Sequence, residues 1–120
     1  MNIKIFRIKK KNGGPILCEN AKVATSFYER LLGLMFKMDM PNCDCLILEP
    51  CSSIHTFFMK FSIDVIFVNK KNQIIKIIKN FKPWGLSALY FSSQKVLELK
   101  NGKIGDHFNV GDELEFECIK

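Results

Sequence analysis

Three residues whose side chains could take part in chemistry lie in an otherwise apolar run between Cys51 and Phe67: His55, Met59 and Asp64. Burying a neutral polar group without a partner costs about 2–7 kcal/mol, so such residues usually satisfy the core or serve a site. If the run is extended, alternate side chains share one face, which places His55 and Met59 together on the apolar side. The pattern predicts a pocket wall at His55; the alternative is a core histidine bonded to a neighbouring carbonyl.

A soft-metal site is a second hypothesis, with Cys43, Cys45, Cys51 and His55 as its ligands. Thiolates and imidazole suit zinc or copper(I). Residues four apart on a strand are separated by about 13 Å, so Cys51 and His55 share an ion only if a loop or neighbouring strand folds them together. Free buried thiols that behave as small apolar groups are the favoured alternative, and we assign no metal.

Cys51 and His55 also raise a third class of function, a minor enzyme in which a base activates a thiol nucleophile. Along a strand the two residues are too far apart for direct contact, and no cysteine-protease signature surrounds Cys51. The sequence has no glycine-rich phosphate loop and no His-Glu-x-x-His helix. It therefore predicts no cofactor and leaves enzymatic activity undecided.

Asp64 lies between Ile63 and Val65, where an unpaired carboxylate would be costly. Arg30 is a natural partner, and a bidentate pair between them would tie a helix to the sheet. The alternative places Arg30 on the outer face of the helix and Asp64 at a solvated strand end. The pair is recognised by charged atoms within about 4 Å of each other.

Trp84, the only tryptophan, follows Pro83 in a predicted loop. Its broad apolar ring and single donor suit a cap over the pocket at His55, although ordinary anchoring of the loop explains it equally well. The ligand-binding candidates are therefore Arg30, His55, Met59, Asp64 and Trp84.

Length and composition predict one soluble domain over residues 1–120, because the chain is 48% apolar and long enough to bury one core. No apolar stretch approaches the roughly 18 residues that a membrane span needs, and the N-terminal residues alternate instead of forming a signal peptide. Five cysteines, an odd number, favour free thiols in a reducing compartment. We expect a cytoplasmic protein without a membrane partner, either a monomer or a weak homo-oligomer.

The net charge of +6 is carried by lysines spread along the chain, with only Arg7 and Arg30 as arginines. Proteins that read nucleic-acid bases rely heavily on arginine forks. The composition therefore favours solvated lysines, and we expect no nucleic-acid partner.

Many short apolar segments separated by turn residues predict a mainly β domain, an antiparallel sandwich or barrel. One short helix is predicted from the capping-box pattern Ser26-Phe-Tyr-Glu29 to about Gly33, and an α+β domain with more helix is the alternative. The predicted strands are residues 2–8, 16–18, 45–49, 54–60, 63–69, 73–79, 95–99 and 113–118.

The segments Arg30-Leu-Leu-Gly-Leu-Met-Phe36, His55-Thr-Phe-Phe-Met-Lys60, Ile63-Asp-Val-Ile-Phe67 and Lys82-Pro-Trp84 occur in this order. With Val96-Leu-Glu-Leu99 and Val110-Gly-Asp112, they closely resemble the family called domain of unknown function 192, over roughly residues 18–116. The resemblance implies a β-rich prokaryotic single domain with no established activity. Its pattern matches here at Arg30, Gly33, Leu34, Met35, His55, Met59, Asp64 and Pro83.

The chain departs from that family at Cys43-Asp-Cys45, where relatives usually show an apolar strand, which weakens the metal hypothesis. Many relatives carry an export signal or lipoprotein leader that this sequence lacks. The function we favour is binding of an unknown small molecule or peptide near His55 and Met59. The metal-binding protein and the minor enzyme remain the alternatives.

Overall fold

The computed structural model describes residues 4–24 and 43–120. They form one sheet of seven strands in the order β5-β4-β6-β3-β2-β1-β7. The strands are β1 (Ile5–Lys10), β2 (Ile16–Ala24), β3 (Cys45–Leu48), β4 (Ile63–Asn69), β5 (Ile74–Phe81), β6 (Ser93–Lys100) and β7 (Leu114–Cys118). The mainly β prediction is confirmed. These two ranges contain no helix, and the helix predicted from Ser26 lies outside them.

The sheet is antiparallel except where β2 and β3 run parallel, with Ala21 opposite Cys45. It curls so that its two edge strands approach each other at one end. There Gln73 and Glu113 form a bridge, and the Ile74 N–H donates to the Asp112 carbonyl at 2.8 Å. This contact joins the start of β5 to the start of β7 and closes the sheet at that end, as in a barrel.

Both faces of strand β4 are buried: all six residues from Ile63 to Val68 are covered, and only the last residue of the strand is partly exposed. Ile66 and Val68 belong to one core cluster, while Ile63, Val65 and Phe67 belong to the other. An unbroken apolar run is what a strand covered on both sides requires. A polar side chain on β4 is therefore removed from water, and Asp64 is buried in this way.

The strand predicted over residues 54–60 is wrong. His55 forms only an isolated bridge with Leu86, and the chain turns at Phe57 and Phe58. The Met59 N–H closes this turn on the Thr56 carbonyl at 3.2 Å, and Phe58 has a φ of 63°. His55 and Met59 therefore do not share the face of one strand.

The described ranges contain no helix that is long and apolar enough to cross a membrane.

Candidate functional site

The turn at residues 57–58 is fastened to the loop that follows β5, and Thr56 makes the connection. The Thr56 side chain is fully buried, and its hydroxyl donates to the Lys82 carbonyl at 2.6 Å and accepts from the Gly85 N–H at 2.7 Å. Its backbone N–H donates to the Gly85 carbonyl, and its carbonyl accepts from the Trp84 N–H, both at 2.9 Å. One threonine thus holds two loops together that are nearly thirty residues apart in sequence.

Replacing Thr56 with valine is expected to lower the free energy of unfolding by about 2 kcal/mol, because it leaves the Lys82 carbonyl and the Gly85 N–H without this partner. Thr56→Ser keeps the hydroxyl and should lose clearly less. Urea denaturation followed by far-ultraviolet circular dichroism measures both variants. An equal loss of unfolding free energy in Thr56→Val and Thr56→Ser would contradict this role of the hydroxyl and assign the role of Thr56 to its methyl group.

The two fastened loops present a group of side chains that we call the aromatic surface: the exposed Phe57, Phe58, Trp84 and Leu86 together with the half-buried His55. The Phe58 and Trp84 rings lie 4.7 Å apart between centroids, and Phe57 lies 6.2 Å from Trp84 and 5.0 Å from His55. Phe57, Phe58, Trp84 and Leu86 are 37%, 45%, 62% and 69% exposed. Contiguous exposed apolar side chains of this kind mark interaction sites in soluble proteins.

Two members of the aromatic surface have backbone conformations that bulky residues rarely adopt. The φ of Phe58 is 63° and that of Trp84 is 65°. The left-handed region costs an L residue roughly 1–2 kcal/mol because Cβ crowds the following carbonyl. Such outliers persist only where the surroundings hold them, and they cluster at functional sites. Here the hydrogen bonds of Thr56 are the restraint.

His55 is half-buried at the edge of the aromatic surface, with its ring against Phe57. Its Nδ1 accepts a hydrogen bond from the Phe57 N–H at 3.2 Å. A neutral imidazole that accepts at Nδ1 carries its proton on Nε2, so Nε2 is available as a donor. His55 is thus not a buried core residue.

Met59 and Trp84 occupy different environments. Met59 is 4% exposed and packs with Ile54, Ile63 and Val65 in the second core cluster, where its thioether fills space. Trp84 lies at the surface, and a ring this exposed does not close a cavity. Arg30 lies outside the described residues, so its part in ligand binding stays a prediction.

Asp64 is buried, and backbone groups supply the partners of its carboxylate. Oδ1 accepts from the Asn80 N–H at 2.9 Å, while Oδ2 accepts from the N–H groups of Gly102 and Ile104 at 3.0 and 3.4 Å. These bonds attach the start of β4 to the end of β5 and to the turn after β6. The arrangement stabilises the fold, and the Arg30 pair stays untested.

The four alternative metal ligands are dispersed over the structure. Cys45 is fully buried in the first core cluster, where burial and the neighbouring Cys18 thiol raise its pKa well above the ordinary value. The Cys51 thiol packs against the second cluster and donates to the Ser53 carbonyl at 3.0 Å. Among the described residues, no group of three histidine, cysteine or acidic side chains is placed to hold a metal ion.

The Cys51 thiol and the His55 Nδ1 are each engaged with the backbone of their own segment. Burial raises the pKa of both Cys43 and Cys45. A raised pKa disfavours the thiolate that nucleophilic chemistry needs.

Sequence reasoning missed one titratable group, Glu98 in the middle of β6. Its side chain is 3% exposed between Leu46 and Val65 on the neighbouring strands, and no described residue hydrogen-bonds its Oε1. Burial raises its pKa from the ordinary value of 4.5 to about 8. The signal was present, because Val96-Leu-Glu-Leu99 places a charge within an apolar strand just as Ile63-Asp-Val65 does.

The fold and the site define a small, mainly β protein that displays a restrained aromatic surface. The chain belongs to the family called domain of unknown function 192, described as an uncharacterized ACR, whose model matches residues 8–116. The predicted resemblance is thereby confirmed.

Three archaeal relatives carry only the name UPF0127 protein. The relative from Thermococcus sibiricus is 31% identical over 114 residues, covering 89% of this chain and 72% of its own. A relative from Pyrococcus horikoshii is 40% identical over 86 residues, covering 68% of this chain and 72% of its own. A relative from Pyrococcus furiosus is 31% identical over 101 residues, covering 79% and 84%.

Two crystal structures share the fold. One, a protein of unknown function from Novosphingobium aromaticivorans, superposes with a TM-score of 0.74 at 20% identity, covering 94% of this chain and 84% of the other. The second, from Sinorhizobium meliloti and described as a possible transcription regulator, gives a TM-score of 0.77 at 19% identity, covering 96% and 94%. At this identity the likeness concerns the fold alone.

Proposed function

We propose that this protein is a polypeptide-binding module and that the aromatic surface is its binding site. The observation that carries the proposal is the pairing of Phe58 and Trp84. Their exposed rings lie 4.7 Å apart between centroids, and both residues have a left-handed backbone conformation. Both side chains are exposed, 45% for Phe58 and 62% for Trp84, so apolar surface is left to contact a partner. Backbone conformations of this kind cluster at functional sites.

The open shape of the aromatic surface favours a polypeptide over a small molecule. Small-molecule sites are concave and bury most of their ligand, whereas the side chains here project from two loops and are 37–69% exposed. Tryptophan and phenylalanine are enriched at protein interfaces, where a few such residues carry most of the binding energy. The hydrogen bonds of Thr56 fix the loops beforehand, which lowers the entropy lost on binding.

Selection of short random peptides displayed on phage against the immobilised protein tests this proposal. The affinity of each selected peptide is then measured by fluorescence anisotropy for the wild type and for the double variant Phe58→Asn/Trp84→Asn. Asparagine tolerates a positive φ, so the double variant removes the rings without straining the turns. We expect about tenfold or greater loss of affinity, as for truncated aromatic residues at interfaces.

Phe91→Asn is the matched control, because Phe91 is 88% exposed and its ring takes part in none of the ring contacts found in the described ranges. Its peptide affinities should equal those of the wild type. Circular dichroism establishes that all variants are folded. Selected peptides that bind the double variant as tightly as the wild type would show that the aromatic surface is not the binding site.

A further inference from the structure

The segment that contains the aromatic surface carries an excess of basic residues. Residues 50–97 contain seven lysines and a single acidic residue, Asp64, so this segment accounts for the entire net charge of +6. Asp64 is buried and bound by backbone N–H groups, and it does not offset the lysines at the surface. The charged side chains that this segment contributes to the surface are therefore lysines.

The charges on β1 and around β7 balance each other. There the basic residues of β1 face the acidic residues around β7: Lys9 lies 3.4 Å from Glu115, and Lys11 lies 2.8 Å from Glu113. Lys10 also lies 3.1 Å from Asp112. Pairs of this kind neutralise one another's charge, so these lysines contribute little to a net positive field.

Lys60 and Lys82 are close in sequence to the rings, at two residues from Phe58 and Trp84 respectively. Both are exposed, and neither belongs to an ion pair among residues 4–24 and 43–120. The Lys82 carbonyl is held by the Thr56 hydroxyl, which fixes that lysine's backbone beside Trp84. His55 adds an Nε2 donor at the edge of the same surface.

We infer that the partner is an acidic polypeptide segment in which carboxylates flank one or more apolar side chains. This inference rests on the proposed function and specifies its ligand. The apolar side chains would pack on Phe58 and Trp84, while the carboxylates face Lys60, Lys82 and the His55 Nε2–H. Complementary charge at the rim of an interface raises the association rate and excludes partners of the wrong charge.

Three synthetic peptides with the same phenylalanine and leucine residues, separated by aspartate, serine or lysine, test the inference. Trp84, as the single tryptophan, reports binding to the wild type by its fluorescence, and labelled peptides report it for every variant. We expect the aspartate peptide to bind at least about tenfold more tightly than the serine peptide, and the lysine peptide to bind most weakly. Raising the salt from about 0.1 M to 1 M should remove most of this preference, because screening shortens the range of the lysine charges.

Lys60→Glu/Lys82→Glu should abolish or invert the preference for aspartate. Lys70→Glu/Lys71→Glu, which reverses the same charge at the β4–β5 turn, is the matched control and should keep most of it. The control site lies at the far end of β4, about 20 Å from Ile63 at strand spacing. Equal loss in both variants would reduce the effect to net charge and overturn the inference.

The inference and the proposed function fail in different ways. Equal binding of the three peptides, lost in Phe58→Asn/Trp84→Asn, overturns the acidic partner and keeps the aromatic surface as a binding site. Binding that survives this double variant overturns both. Absence of binding by all three peptides overturns the acidic partner. So does capture of the protein by phosphatidylserine-containing vesicles when the protein does not discriminate among the three peptides.

Discussion

Replacing Asp64 with asparagine is expected to lower the free energy of unfolding by about 3 kcal/mol, the largest loss we predict for a single polar substitution in this chain. The carboxylate accepts hydrogen bonds from Asn80 at Oδ1 and from Gly102 and Ile104 at Oδ2. An amide presents one oxygen and one NH2 group. Whichever way it turns, a buried backbone N–H faces another donor.

Local measurements separate this role of Asp64 from a general loss of packing. The amide protons of Asn80 and Gly102 should exchange faster with solvent in Asp64→Asn, while those in the middle of β6 change only through the lower overall stability. Asp106→Asn is the control, since Asp106 is fully exposed and its ion pair with Lys79 is long, at 3.8 Å. That substitution should have almost no effect. Unchanged protection at Asn80 and Gly102 in Asp64→Asn would contradict the assignment.

If Asp64 served a ligand, its substitution would impair binding with little effect on stability. The contacts indicate the reverse, because they link the start of β4 to the neighbouring turn and strand end. Peptide affinity in a folded Asp64→Asn protein should therefore stay close to that of the wild type. The hydrogen bonds of the Asp64 carboxylate thus favour a structural role for it.

The strand β4 could be predicted to its exact ends because every residue from Ile63 to Val68 suits a strand covered on both faces. The error over residues 54–60 has a different origin. Aromatic residues there favour a strand, and no glycine, proline or asparagine in that segment signals the turn. The turn is held by bonds to Trp84 and Gly85, contacts that a local pattern does not contain.

The same limit applies to the site residues. His55 and Trp84 could be identified from their types, but their placement on an open surface depends on the pairing of two distant loops. Thr56 gave no signal, since a threonine in an aromatic run reads as an ordinary strand residue. Its importance becomes visible only when Lys82 and Gly85 are seen to meet its hydroxyl.

Glu98→Gln is expected to stabilise the protein at neutral pH, in contrast to the losses predicted for Thr56 and Asp64. The carboxyl group lies in an apolar part of the sheet, and burial raises its pKa from 4.5 to about 8. Between these two pH values the unfolded chain has released the proton and the folded protein has kept it. The folded state therefore binds more protons, and its stability must fall as the pH rises.

The size of the effect follows from the same linkage. Each pH unit between 4.5 and about 8 costs up to 1.36 kcal/mol, so at pH 7 the ionisable group at position 98 lowers the free energy of unfolding by about 3 kcal/mol relative to pH 4.5. Below pH 4.5 the group is neutral in both states, and above about pH 8 the loss is complete. Glutamine has nearly the same shape and does not ionise, so its curve should lack this decline.

Comparison of the wild type with Glu98→Gln by urea denaturation at intervals from pH 4 to 9 isolates this group, because the other titrating residues contribute equally to both proteins. The difference in the free energy of unfolding should widen in favour of the variant through pH 5–8 and then become constant. Glu115→Gln serves as control, since Glu115 is exposed and lies 3.4 Å from Lys9, where no such widening is expected. Parallel curves for the wild type and Glu98→Gln would mean that Glu98 ionises in the folded protein near its ordinary pKa. A widening difference would instead identify a neutral carboxylic acid within the sheet at physiological pH, able to donate a hydrogen bond as well as accept one.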